Sequence, residues 1–156
     1  MEPALRDANR YEDLWELYEV MALHRRDEPE GRVELLERMA QLAEETLEDP
    51  ERAFAATARA LHVLPSLSRL RTSLSRLAEE NDIWEGLANL YEETAGENED
   101  PEMGRDLNLL AASIVADRLS DPGRAIELYH QIREEWPENA EMLERLQGLY
   151  GQEDKS

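Results

Sequence analysis

Apolar residues recur along the chain with a period near 3.6, and each run is closed by a proline or a short polar stretch. From Asp121 to Pro137, Ala125, Leu128, Tyr129, Ile132 and Trp136 fall on one stripe of an amphipathic helix. Asp121 is placed to cap it, Pro122 to occupy its first turn and Pro137 to end it. The same device stands 72 residues earlier: Asp49, Pro50, Arg52, Ala53 and Pro65 match Asp121, Pro122, Arg124, Ala125 and Pro137.

Read in order, the pattern predicts eight helices. The first runs from Tyr11 to about Leu23 with Leu14, Leu17, Tyr18 and Met21 on its stripe. The second runs from Pro29 to about Leu47, and the third from Pro50 to Leu64. The fourth follows Ser66, read as its cap, and carries Leu67, Leu70, Leu74 and Leu77. Asp82 is read as the cap of the fifth, Ile83 to about Thr94. The sixth runs from Pro101 to about Leu119, the seventh from Pro122, and the eighth from about Asn139 to Tyr150 with Met142, Leu143, Leu146 and Tyr150. No segment alternates with period two, so no strand is expected. Short connections imply antiparallel neighbours.

The duplication extends beyond one helix. Tyr11, Leu14, Leu17, Tyr18 and Glu19 match Trp84, Leu87, Leu90, Tyr91 and Glu92 at an offset of 73, and Pro29 matches Pro101 at 72. Two copies, about 9–80 and 82–150, would form one repeat domain over 9–150, with a flexible lead at 1–8 and a flexible tail at 151–156. Each copy holds four helices, so the unit is a helix pair of about 36 residues that must stack on its neighbours to bury its apolar faces. The expected fold is all-α: a right-handed α-solenoid of about four antiparallel helix pairs. The array starts and stops in mid-unit. It is a piece of a longer array, or its end helices act as caps, or copies pair end to end.

These residues resemble the tetratricopeptide repeat (TPR) family. Ala125, Tyr129, Ile132 and Pro137 fit the pattern of that family's second helix, and Ala53, Ala60 and Pro65 fit three of the four places, with Thr57 in the aromatic slot. Leu143, Leu146 and Tyr150 fit the first-helix pattern, although Gln147 stands where a small residue is usual; Leu74, Ser75 and Ala78 fit it too, with Arg71 in a large apolar slot. A HEAT-like stack is the alternative. The resemblance implies a peptide or helix bound in a concave groove lined by first helices. Carried over, the groove positions are Leu35, Arg38, Met39 and Leu42; Arg69, Thr72, Ser73 and Arg76; and Leu107, Leu110, Ala111 and Ile114.

Charge alters this picture locally. The chain carries 37 acidic and 17 basic residues, a net charge of −20. That disfavours nucleic acid and anionic membrane surfaces as partners. Residues 51–78 nevertheless hold five arginines and one acid. Arg69, Ser73 and Arg76 share one face, so an acidic side chain or C-terminal carboxylate of a protein or peptide partner could be held between the two guanidinium groups. The competing reading is that they neutralise acids of neighbouring helices, such as Glu44, Glu45 or Glu102. Leu107, Leu110 and Ile114 belong to a helix apolar nearly all round, which reads either as a helix packed on several sides or as an apolar groove or homodimer face.

Candidate chemistry is sparse. There is no cysteine, no phosphate-binding glycine loop and no nucleophile elbow. His24, His62 and His130 lie on separate helices or helix ends, and acid pairs such as Glu44/Glu45 are too many to single out. Trp15, Trp84 and Trp136 read as packing residues. No catalytic residue, metal or cofactor is expected. No apolar run approaches the ~20 residues of a membrane span, and no signal peptide is visible in MEPALRDANRYED. The expectation is a cytoplasmic, bacterial-type, non-enzymatic interaction module, with a structural or oligomerising segment of a larger scaffold as the alternative.

Overall fold

The structure is a computed structural model that describes residues 3–135, 137 and 140–155, with the side chains of 9–135, 137 and 143–151. Trp136, Asn139 and the side chain of Met142, all part of the expected stripes, lie outside the described residues. The described residues form eight α-helices and no strand: α1 Pro3–His24, α2 Pro29–Glu45, α3 Pro50–Val63, α4 Ser68–Asn81, α5 Trp84–Glu97, α6 Pro101–Asp117, α7 Pro122–Glu135 and α8 Ala140–Lys155. α1 starts at Pro3, before the Tyr11 start read from the stripe; proline is at home in a first helical turn, and Ala4 and Leu5 favour helix. α8 continues to Lys155.

The helices fall into two compact units, Met1–Asp82 and Ile83–Ser156. Within the first, α1 packs on α2, α2 on α3 and α3 on α4; within the second, α5 packs on α6, α6 on α7 and α7 on α8. The core of the first unit contains Val33, Leu36, Met39, Leu61, Leu70 and Leu74, with Ala43, Ala53 and Leu77 clustered beside Trp15 and Phe54. Small residues on α3 (Ala53, Ala56, Ala60) keep its buried face flat enough for close helix approach. The second unit buries Leu87, Tyr91, Leu107, Val115, Tyr129 and Ile132. Among the described residues Thr57 and Thr94 are buried polar side chains, and each hydroxyl donates to the carbonyl four residues back (Ala53 at 2.8 Å, Leu90 at 2.7 Å).

The 72-residue period is visible atom by atom at two corners. After α2, the N–H groups of Thr46 and Leu47 both donate to Leu42 O and Asp49 N–H donates to Ala43 O. After α6, Arg118 and Leu119 donate to Ile114 O and Asp121 N–H to Val115 O. Both corners turn on a left-handed residue, Glu48 and Ser120, each at φ 52°. Both then enter the next helix through an aspartate cap: Asp49 Oδ1 accepts from Arg52 N–H at 3.1 Å, and Asp121 Oδ1 from Arg124 N–H at 3.2 Å.

Two expected caps are not used. Ser66 sits in a tight turn in which Leu67 N–H donates to Leu64 O, and α4 begins after Leu67 without a side-chain cap. Asp82 closes α4 instead of opening α5. It adopts the left-handed conformation (φ 55°, ψ 51°), and its N–H reaches Ala78 O. Aspartate tolerates that region better than most side chains.

Arginine–carboxylate pairs link every second helix. Arg52 and Arg59 of α3 meet Glu12 and Glu19 of α1 at 2.9 and 2.7 Å. Arg69 and Arg76 of α4 meet Glu37 and Glu44 of α2. The partners advance together, seven residues on each helix, so α1 and α3 run in one direction, as do α2 and α4. In the second unit, Arg124 of α7 reaches Glu85 and Glu92 of α5, and Arg145 of α8 reaches Asp117 of α6. Arg52 also lies 5.3 Å from the Trp15 ring.

Candidate functional site

Within the first unit, α2 and α4 flank a recess of about 190 Å³ whose floor is Ala40, Thr57, Leu70 and Leu77. The floor is mostly apolar: Leu70 and Leu77, seven residues apart, share the buried face of α4, and Thr57 spends its hydroxyl on Ala53 O. The rim is polar: Glu37, Gln41, Glu44 and Glu45 from α2, Ser73 and Arg76 from α4.

The rim charges are paired in register. Arg69 holds Glu37 bidentately, Nε to Oε2 and Nη2 to Oε1 at 3.0 Å each. Arg76 holds Glu44 the same way, with Nη2 to Oε1 at 2.7 Å, and its Nη1 also reaches Glu80 at 3.0 Å. Gln41 Nε2 donates to Glu45 at 3.2 Å. The hydrogen bond from Arg76 holds the Glu44 carboxyl below its usual range, against the opposing cost of burial; Glu44 in turn raises the Arg76 guanidinium, as Glu37 raises Arg69. Four carboxylates surround two guanidinium groups, so the face is net negative.

The expected groove residues separate by burial. Leu35 and Met39 are fully buried in the first unit, and Leu107, Ala111 and Ile114 are buried too, so these five side chains serve cores. Leu42 and Leu110 are half-buried, and Arg38 and Thr72 are exposed, Thr72 donating to Ser68 O at 3.1 Å. Of the expected set, Ser73 and Arg76 line the recess and Arg69 stands beside it. The sixth helix is packed on several sides: Leu107, Ala112 and Val115 are all buried.

Both arginines already carry a bidentate carboxylate, Glu37 on Arg69 and Glu44 on Arg76, so their charge is met within the chain. Glu44 was among the acids named as their neutralising partners; Glu37 was missed. Its signal is the shared spacing of seven, Glu37/Glu44 against Arg69/Arg76.

A second recess, about 460 Å³ and wider, lies in the other unit at the α5–α6 turn. Pro101, Gly104 and Leu128 line it together with Glu92, Glu99 and Glu135. Among the described residues, no cluster of three or more His, Asp or Glu is arranged to hold a metal ion, and no helix is long and apolar enough to cross a membrane. Compared with known proteins, the chain matches no family model, no curated protein sequence and no solved structure.

Proposed function

We propose that the chain is a non-enzymatic helical-repeat interaction module of the tetratricopeptide kind, and that the α2/α4 recess of its first unit takes a basic side chain of a peptide partner. The observation that carries this reading is the rim: Glu44 and Glu45 stand over an apolar floor, and Glu45 is met by the amide of Gln41. An ammonium or guanidinium group finds unspent carboxylate acceptors there, and its aliphatic stem finds Ala40, Leu70 and Leu77. An acidic or C-terminal carboxylate anchor would instead meet guanidinium groups already neutralised by Glu37 and Glu44, with the acids of the rim beside them. The net charge of −20 favours encounter with basic partners over acidic ones.

The test is fluorescence anisotropy with three labelled peptides of equal length and matched apolar content, one basic, one neutral and one acidic. The basic peptide should bind, and Glu44→Gln with Glu45→Gln should weaken it at least tenfold without loss of helical circular dichroism. Preference for the acidic peptide, abolished by Arg76→Gln, would return the reading to a carboxylate clamp. Binding of none of the three would remove this recess as the site.

A further inference from the structure

The recess at the α5–α6 turn of the second unit, about 460 Å³, lies where the repeat keeps a carboxylate and drops its arginine. In the first unit Arg59 of α3 reaches Glu19 of α1, Nη1 donating to Oε1 at 2.7 Å. At the 73-residue offset Glu19 corresponds to Glu92, and at 72 Arg59 corresponds to Gln131. Glu92 and Gln131 both line the recess. A second cation is dropped with the first: Arg32 corresponds to Gly104, also in the lining. A Cβ on Gly104 would stand 3.4 Å from Ala95 O, so the glycine lets α6 come close to α5 and puts no side chain into the space. Val63 corresponds to Glu135, so the lining gains an acid where the first copy has an apolar residue.

We propose that this recess binds an arginine side chain of a peptide partner, its guanidinium taking beside Glu92 the place that Arg59 takes beside Glu19. Acceptors are present there and donors are short. Among the described residues no basic side chain lines the recess. Arg124, which does not line it, donates to Oε2 of Glu92 at 2.9 Å. The carboxylates of Glu99 and Glu135 have no partner among the described residues. Leu128, larger than its counterpart Ala56, gives the methylene stem of the arginine an apolar surface.

A guanidinium suits this lining better than an ammonium. Its N–H donors form a planar fork that can serve a carboxylate and an amide oxygen at once, and Glu92, Asn108 and Gln131 offer both. The volume falls within the ~300–1,000 Å³ of pockets that hold small ligands. The net charge of −20 draws a basic peptide toward the chain. Every residue of the site belongs to the second unit, and the proposal does not depend on the α2/α4 recess.

A nuclear magnetic resonance titration of the isotope-labelled full chain tests it. The probes are a short blocked peptide with one arginine and its citrulline twin, which keeps the shape and loses the charge. The arginine peptide should shift the side-chain amides of Asn108 and Gln131 saturably, less so as salt is added, and the citrulline peptide should not. Gln131→Arg should cut the affinity read at Asn108 about tenfold, because a tethered guanidinium already holds the acceptors. Unchanged circular dichroism would show that this variant folds. Should it not fold, Glu99→Gln with Glu135→Gln, both at exposed positions, should weaken binding about threefold. Equal shifts with citrulline would overturn the proposal, as would unchanged affinity in Gln131→Arg or, if that variant does not fold, in Glu99→Gln with Glu135→Gln. Absence of saturable shifts at Asn108 and Gln131 would overturn it too, and shifts confined to α2 and α4 would leave only the α2/α4 recess as a basic site.

Discussion

Arg124 is the side chain whose removal should cost the second unit most for its size. In the first unit two arginines, Arg52 and Arg59, each take one glutamate of α1. In the second unit the counterpart of Arg59 is Gln131, and Arg124 reaches α5 at three side chains: Nη1 to Glu85 at 2.8 Å, Nη2 to Asn89 and Glu92 at 2.9 Å. Glu85 and Glu92 together raise its affinity for the proton, Glu85 more strongly. Its side chain is 28% exposed and that of Glu92 32%, while Glu85 is 61% exposed. The Glu92 pair therefore belongs near the upper end of the ~0.2–1 kcal/mol measured for surface pairs and the Glu85 pair near the lower end. The Asn89 bond adds roughly 0.5 kcal/mol. Arg124→Gln should then destabilise by about 1.5 kcal/mol, moving the urea midpoint down by about 0.5–1 M at unchanged slope. A double-mutant cycle with Glu92→Gln should return a coupling of about 0.5–1 kcal/mol. A loss below about 0.3 kcal/mol, or a cycle with no coupling, would refute the claim that these contacts hold α7 to α5.

Gln131→Arg should supply the missing rung toward Glu92 and stabilise by about 0.3–0.5 kcal/mol, read from the same urea midpoints. Asp49→Ala and Asp121→Ala should each cost about 1 kcal/mol through loss of the cap to Arg52 or Arg124 N–H, with near-equal effects because the corners are alike. The Arg76–Glu44 pair makes stability depend on pH. Glu44 titrates in the folded chain below its ordinary value of 4.5, so its contribution is complete above 4.5 and fades as pH falls through the lower folded value. The difference in stability between the parent and Arg76→Gln should accordingly be larger at pH 7 than at pH 3, measured by urea unfolding at both.

Helix existence was legible because each signal for it is local. Asp49-Pro50 and Asp121-Pro122 announce a cap and a first turn, and the apolar stripes name the buried sides of α3, α5 and α7. Ser66 and Asp82 misled because a helix end is settled by how backbone groups close, not by which residue could cap. Asp82 satisfies α4 from the left-handed region instead of starting α5. The groove positions on α2 and α6 came from the resemblance, and a family register does not know which side of these helices the present core occupies; Leu35, Met39 and Leu107 are inside it. The partners of Arg69 and Arg76 lie 32 residues away in a chain with 37 acids, and only the common heptad spacing narrows the choice.

The two copies keep one set of inter-helix ties in register and vary the other. Both keep the α2–α3 type corner with its left-handed residue and aspartate cap, and both tie the helix after that corner to acids seven residues apart, Glu12/Glu19 and Glu85/Glu92. The second ladder is not repeated position for position: α8 is tied to α6 by the single pair Arg145–Asp117 at 3.3 Å. Seventy-two residues beyond Glu37, Glu44, Arg69 and Arg76 stand Leu109, Ala116, Glu141 and Gly148, none of which can rebuild a carboxylate–guanidinium rung. Leu74 and its counterpart Leu146 are buried in both units, although the second has one arginine–carboxylate pair between these helices where the first has two. The acidic rim of the α2/α4 recess thus belongs to the first copy's surface, and substitutions there should change what the first unit binds more than whether it folds. Arg69→Gln, which exposes Glu37 on this rim, should shift the urea midpoint less than Arg124→Gln while strengthening capture of the basic peptide. The reverse order of these two effects would make the rim a structural brace and leave the recess without a role in binding.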